Sequence, residues 1–432
     1  MDLTTFWQKN RMIFKGFLIG FLILLLLIPT IMIQELVRER QSRQYEAIAE
    51  VSSKWAGAQS ISGPVIAIPY WIPTADGKGG ITRTKGTAYF LPDKLVANAN
   101  VLPEKRYRGI YEVMVYTSDI ELSGAFGGFR FEDLKIEAHE ILWQEAVVYL
   151  NINDVRGLKQ DVTFKWGNKQ VELVPGKFSD EQFRESLSAS LPVDDSLKTT
   201  GADFSVSIKL KGSENLLFVP VGKKTTVSMT SSWPNPSFTG NYLPDVRSVS
   251  DSGFSATWDV LSLNRSYPQQ WVNRAYDLNA SSFGVELRVP VDAYQKSMRS
   301  VKYAILCIVL TFTAFFLIEL IYNRSLHPFQ YVLVGFALCI FYTLLLSISE
   351  YTGFNPAYII AGVATILLIA WYVKTILQSG KIAFFISILL AAMYGFIYIL
   401  IQSQDYALLM GSVGLFVIVA LVMYFSRRIN TN

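Results

Sequence analysis

The sequence predicts a membrane protein of the α + β class. It has an N-terminal transmembrane anchor, a large external antiparallel β-sandwich-like domain and a C-terminal block of five transmembrane helices. Three observations carry this reading. Charge is uneven: 17% of the 432 residues are charged, but between Tyr303 and Phe425 only Glu319, Arg324, Glu350, Lys374, Lys381 and Asp405 are. Six apolar runs are long enough to cross about 30 Å of hydrocarbon, which takes about 20 helical residues. Between the first run and the second, apolar residues recur with a period of two, the signature of strands.

The six runs are Gly16–Ile33, Tyr303–Tyr322, Pro328–Ile348, Tyr358–Val373, Ile382–Ile401 and Ala407–Phe425. Lys9, Arg11 and Lys15 precede the first, as in a signal peptide. Its apolar core is longer than a usual signal core, and Ile31-Met32-Ile33-Gln34-Glu35 offers no small-residue cleavage pair, so it reads as an uncleaved anchor. Orientation follows from the short loops. Arg324, Lys374, Lys381, Arg427 and Arg428 fall on one side, whereas Ser349–Asn355 and Gln402–Tyr406 carry no Lys or Arg. Basic loops stay in the cytoplasm, so both termini are expected inside and residues 34–302 outside.

The external region splits into a stalk and a β domain. Tyr45, Ile48, Val51 and Trp55 recur at helical spacing, and Glu39 precedes Arg43 by four, so a helix is predicted over Gln34–Trp55. Strands are predicted at Asp203–Lys211, Thr225–Trp233, Tyr111–Thr117 and Val147–Ile152, around Phe254–Val260 and around Phe283–Val291, with Gly, Pro, Asn and Asp between them. Without long amphipathic helices alternating with these strands, a parallel α/β sheet is not expected. The stretch 176–201 reads as a polar connection between two possible lobes, with a short helix around Phe183–Leu187.

Composition excludes several functions. Residues 34–302 hold 31 basic and 31 acidic residues, a balance with no overall field for nucleic acid. The two cysteines, Cys307 and Cys339, lie in apolar runs, so the external region has no disulfide, thiol catalysis or Cys-based zinc site. His139 is its one histidine, beside Glu137 and Glu140, and reads as a surface residue. Asp194-Asp195 reads as solvated charge. No nucleophile elbow, phosphate loop or zinc-protease motif occurs, so no catalytic residue, metal site or cofactor is assigned.

Two stretches carry connected motifs. The first is Ser231-Ser232-Trp233-Pro234-Asn235-Pro236-Ser237-Phe238, followed by Gly240, Leu243-Pro244, Arg247 and Ser252-Gly253-Phe254. The second opens at Lys302-Tyr303-Ala304-Ile305-Leu306 and passes through Phe315-Phe316, Glu319, Leu326-His327-Pro328, Gln330-Tyr331, Leu333-Val334-Gly335, Ser349-Glu350 and Thr352-Gly353-Phe354. Weaker matches occur at Ser62-Gly63-Pro64, Ile66-Ala67-Ile68-Pro69 and Leu27-Ile28-Pro29. Together these residues resemble the CreD family of inner-membrane proteins, and the resemblance spans essentially the whole chain, loosely over residues 70–230. It implies a bacterial inner-membrane location with the β domain in the periplasm, and a role in envelope integrity, stress response and colicin tolerance. It implies no established enzyme activity or cofactor.

The preferred reading is therefore a non-enzymatic envelope protein. Its partners are the lipid bilayer and, through the periplasmic domain, another envelope protein. A small transporter or channel on the C-terminal helices is the alternative, because Glu319 is an acid within a span, and an intramembrane or periplasmic enzyme comes third. Glu319, Arg324, His327 and Glu350 are the candidate functional or clamp residues, with Arg324 able to reach back towards Glu319 and His327 either joining them or sitting at the headgroup level. Trp233, Pro234, Pro236, Phe238 and Gly253 form the family-like motif, read as a rigid strand-end turn with the Trp233 ring capping a core. A reporter enzyme active only in the periplasm should be active when fused after Thr200 and silent after Arg428. Activity at Arg428 would overturn the assigned orientation.

Overall fold

The computed structural model describes residues 11–75, 81–176, 183, 186–287, 292–322, 326–403 and 406–426. The chain forms two compact units, Met1–Tyr45 with Val291–Asn432, and Glu46–Pro290. These boundaries fall at 45/46 and 290/291, where the sequence suggested 33/34 and 302/303.

The long helix α1 (Arg11–Trp55) joins the predicted anchor and stalk in one element. Pro29 lies inside it, at a position that forfeits a backbone hydrogen bond. The β unit then runs through β1 (Gln59–Ala75), β2 (Ile81–Phe90), β3 (Lys94–Arg108), β4 (Tyr111–Phe126), β5 (Val147–Ile152), β6 (Val162–Trp166), β7 (Lys169–Pro175) and β8 (Leu187–Ser190). After the short α2 (Asp195–Thr200) come β9 (Ala202–Ser213), β10 (Asn215–Phe218), β11 (Lys224–Ser231) and β12 (Pro236–Gly240). The unit ends with β13 (Val246–Ser250), β14 (Gly253–Leu261), β15 (Gln270–Val272) and β16 (Phe283–Leu287).

These strands form one ladder in the order β12-β16-β10-β1-β5-β8-β7-β6-β9-β4-β3-β11-β14-β13, with β2 and β15 attached beside β1. The two ends, β12 and β13, are consecutive in the chain. Between them the ladder curls back: Phe238 of β12 meets Phe254 and Trp258 of β14 edge-on at 6.0 and 5.9 Å, and Phe283 of β16 lies 5.6 Å from Trp258. The result is a nearly closed barrel around one hydrophobic core fed by strands from both halves. The expectation of an all-antiparallel sandwich is corrected here. β1 pairs in parallel with β10, and β3 in parallel with β11. Alternation along a strand reports which face is buried and is silent on the direction of the neighbour. Parallel partners need long crossovers, and here whole strands fill them.

Most predicted strands fall inside observed ones, with Val147–Ile152 matched at both ends. Residues 288–291, the end of the last predicted strand, lie outside the described residues. So does part of the helix expected around Phe183–Leu187; Leu187 already opens β8, and the helix described nearby is α2.

The start of the β unit is held by a polar knot. Gln59 is fully buried, yet its amide donates to the carbonyls of Asp154 and Lys211 at 3.0 Å each and accepts from Asp154 N–H at 3.1 Å. Asp154 in turn accepts from Arg156 Nη2 at 2.7 Å and from Gly57 N–H at 3.0 Å. The Arg156 guanidinium, with the two backbone N–H groups, holds the Asp154 carboxyl down to about 2. Arg156 also donates to the Ser53 carbonyl, and the Trp55 ring lies between Lys211 at 4.5 Å and Arg106 at 4.9 Å. The last turn of α1 is thereby docked by cation–π and hydrogen-bond contacts to the strands it precedes.

The helical unit adds α3 (Asp292–Lys302), α4 (Ala304–Tyr322), α5 (Pro328–Thr352), α6 (Phe354–Leu377), α7 (Gly380–Gln402) and α8 (Ala407–Ser426). Among the described residues four helices are long and apolar enough to cross a membrane: Phe14–Trp55, α5, α6 and α7. Ala293–Lys302 and Ala304–Leu320 qualify together as a pair bent by 40°, which makes five, and Leu408–Ala420 of α8 is a shorter apolar helix. Of the six predicted runs, only that around Ala407–Phe425 lacks a counterpart in this count. α3 was not anticipated, because its apolar positions are few.

The family-like motif is a structural corner. Trp233 is 7% exposed and belongs to the barrel core; its indole N–H donates to the Asn235 carbonyl at 2.9 Å. Pro236 opens β12, an end strand whose one ladder partner is β16, where a missing N–H costs little. Gly253 has φ +135°, and a Cβ there would meet the Ser231 carbonyl oxygen at 2.1 Å. Arg247 covers the outer ring of Phe238 at 5.7 Å. Trp233→Ala should cost about 3–5 kcal/mol, as for other buried aromatics. The purified protein should melt at a lower temperature, and an unchanged melting temperature would mean that the ring does not support the core.

Candidate functional site

The candidate site is built at the start of α5. His327 is its N-cap: Nδ1 accepts from Phe329 N–H at 3.3 Å, and the Gln330 side chain accepts from His327 N–H at 3.0 Å. With Pro328 in the first turn, this box fixes where the helix begins. Tyr331 then falls in the first turn, with its ring edge-on to Phe312 at 5.4 Å. Its hydroxyl donates to Glu319 Oε2 at 3.2 Å. The other carboxylate oxygen of Glu319 pairs with Lys15 Nζ of α1, which also donates to the Leu326 carbonyl at 2.9 Å.

The Lys15 and Glu319 side chains are only 16% and 11% exposed. Each charge therefore depends on the other: removing one partner of such a pair strands the remaining charge in a poorly solvating place. Three elements meet here, α1 through Lys15, α4 through Glu319 and α5 through Tyr331. The neighbouring cavity, bordered by Phe315, Leu326, Tyr331, Val334 and Tyr372, has a volume of about 10 Å³. That is room for about one water and no larger solute.

The other residues expected at the site separate from it. Arg324 lies outside the described residues. His327 serves as a helix cap, and among the described residues Glu319 is met by Lys15 and Tyr331 instead. Glu350 sits at the far end of α5, where Oε1 accepts from Tyr294 OH at 3.1 Å and lies 3.8 Å from Arg40 Nε of α1. Tyr331 and Glu350 are about 28 Å apart along the helix at 1.5 Å per residue, close to the ~30 Å of a hydrocarbon core. The Glu350 side chain is 9% exposed, and Gly353, at φ +81°, turns the chain into α6 just beyond it.

Lys15, Tyr331, Arg40 and Tyr294 were missed as partners. One signal was available for Lys15: it stands at the start of the first apolar run, as Glu319 stands near the end of the second, so the two share a depth. No such signal marked Tyr294. Elsewhere, His139 is exposed beside Glu137, and Asp194 pairs with Lys169 at 2.8 Å. Cys307 and Cys339 are buried free thiols. No group of three or more His, Cys, Asp or Glu able to hold a metal ion occurs among the described residues.

A helical unit of long apolar helices, with an ion-paired acid packed at each end of α5, carried in the same chain as a curled β barrel, defines an integral membrane protein of mixed α and β structure. The comparisons with known proteins narrow this class. The family model described as "Inner membrane protein CreD" matches residues 11–432. The inner membrane protein CreD of Escherichia coli (strain K12) is 33% identical over 415 residues, which cover 94% of this chain and 91% of that relative. The chain belongs to the CreD family of inner membrane proteins.

Glu319→Leu should leave Lys15 without a counter-charge and cost about 3–5 kcal/mol, the usual penalty for breaking a buried pair. Glu319→Gln keeps an acceptor for Lys15 and Tyr331 and should cost less. Lys15→Met combined with Glu319→Leu should recover much of the loss, because an apolar pair needs no solvation. Membrane abundance and melting temperature of the four proteins check this order. A double variant no better than Glu319→Leu would show that the pair does not set helix packing.

Proposed function

We propose that the protein acts in envelope integrity and in tolerance of stress and colicins as a non-enzymatic inner-membrane protein. Both termini lie in the cytoplasm, six helices span the membrane, and the β unit receives another envelope protein in the periplasm. The observation that supports this best is the use made of the one acid of α4. Glu319 is consumed by Lys15 and Tyr331 in helix packing, beside a cavity about the size of one water. A transport pathway asks for a polar group facing a solvated route, and this one faces neighbouring helices.

Two measurements test the reading together. A strain lacking the gene should survive colicin or detergent challenge differently from its parent, and Glu319→Gln should restore the parental response. Purified protein in proteoliposomes should pass protons, ions and small solutes no faster than empty vesicles. Flux above that background, abolished by Glu319→Gln at normal protein levels, would replace this reading with the transporter.

A further inference from the structure

The helix that the sequence did not announce carries an unassigned surface. One side of α3 is buried: Tyr294, Ser297, Ser300 and Val301 are 0–6% exposed. This side packs at the Glu350 end of α5 through the Tyr294–Glu350 hydrogen bond, and Lys296, on the other flank, lies 5.9 Å over the Phe354 ring at the start of α6. α3 thus lies where α5 turns into α6, at the level where a bilayer passes from hydrocarbon to headgroups. It meets α4 at the 40° bend.

The opposite side carries Lys296, Arg299 and Lys302, spaced by three and so wound along one flank of the helix. Arg299 and Lys302 form no hydrogen bond or ion pair among the described residues, and Lys302 is exposed. Both basic residues of the last turn are here, and Ile305, 44% exposed, follows them at the start of α4. Basic side chains stand next to an exposed apolar side chain at the rim of a helical bundle. This order, charge then hydrocarbon, is the order of atoms in a phospholipid.

We propose that α3 is an interfacial helix whose Arg299 and Lys302, assisted by Lys296, bind the phosphate of an anionic phospholipid, with the acyl chains running down past Ile305. Guanidinium and ammonium donors suit phosphate oxygens, and an amphipathic helix with a basic face binds anionic lipid surfaces. A zwitterionic lipid offers the same phosphate but cancels it with its own cation. The site therefore discriminates phosphatidylglycerol from phosphatidylcholine.

The test uses the full chain in mixed micelles with fluorescent phosphatidylglycerol, titrated against unlabelled lipids. Unlabelled phosphatidylglycerol should compete, while phosphatidylcholine and inorganic phosphate should not. Because two basic groups near an anionic surface are lost, Arg299→Gln with Lys302→Gln should weaken binding by about tenfold or more. Lys374→Gln with Lys381→Gln, at the far end of α6 and the start of α7, should leave it unchanged. Equal binding by the Arg299/Lys302 variant, equal competition by phosphatidylcholine, or equal loss in the Lys374/Lys381 variant would overturn the proposal. Should the Arg299/Lys302 variant fail to fold, a phosphatidylglycerol with a photoreactive headgroup can be crosslinked to the unaltered protein. Label on α3 supports the site, and label confined to other helices refutes it.

Discussion

The cost of placing a charge in hydrocarbon orders the helical unit. Glu319 and Glu350 mark the two ends of α5's span, and each is met by a cation of α1 and a tyrosine hydroxyl: Lys15 with Tyr331, and Arg40 with Tyr294. Apolar packing between helices in lipid is weakly directional, because lipid tails are as apolar as leucine. The paired charges supply what such packing lacks. They fix α1 against α4 and α5 at two depths about 28 Å apart, which sets both its height and its rotation. Moving α1 by one turn would separate both pairs at once.

The β unit is governed by a different requirement, the pairing of strand edges. Its long ladder would expose an edge at each end, and the chain brings those ends together in the segment between β12 and β13. Aromatic rings rather than ladder hydrogen bonds close the gap, with Phe238, Phe254, Trp258 and Phe283 packed across it. The Trp233–Gly253 motif forms one wall of this seam. Its residues are thus required by the closure of the fold, without any ligand in the account.

Alternation made the individual strands legible. Phe204, Val206, Ile208 and Leu210 are all buried, as are Phe254, Ala256, Trp258 and Val260. The long α1 was legible too, because the apolar run and the Tyr45–Trp55 spacing share one helical register. What alternation does not encode is partnership. Nothing in the period-two pattern of β3 says that its neighbours are β4 and a parallel β11. The site divides similarly. Glu319 stood out as an acid among apolar residues, and His327-Pro328 as a helix start. Lys15 lies some 300 residues away, so the pair follows from the fold and not from proximity along the chain. α3 escaped notice because its buried positions are largely serine and tyrosine, which do not register as an apolar face.

The parallel pairing of β1 with β10 also imposes an order in time. Gln59 and its partner Leu216 lie about 150 residues apart in the chain. At ribosomal speeds of about 5–20 residues per second, β1 waits about 8–30 s before its neighbour exists. Over that interval only the short stretch Gln59–Ile61 waits for β10, because β2 pairs with Ile66–Ala75 along the same edge soon after it is made. β5, its antiparallel neighbour, arrives earlier. The nascent chain can thus pair most of β1 early, and the short Gln59–Ile61 stretch left for β10 is the point at which a holding chaperone would act.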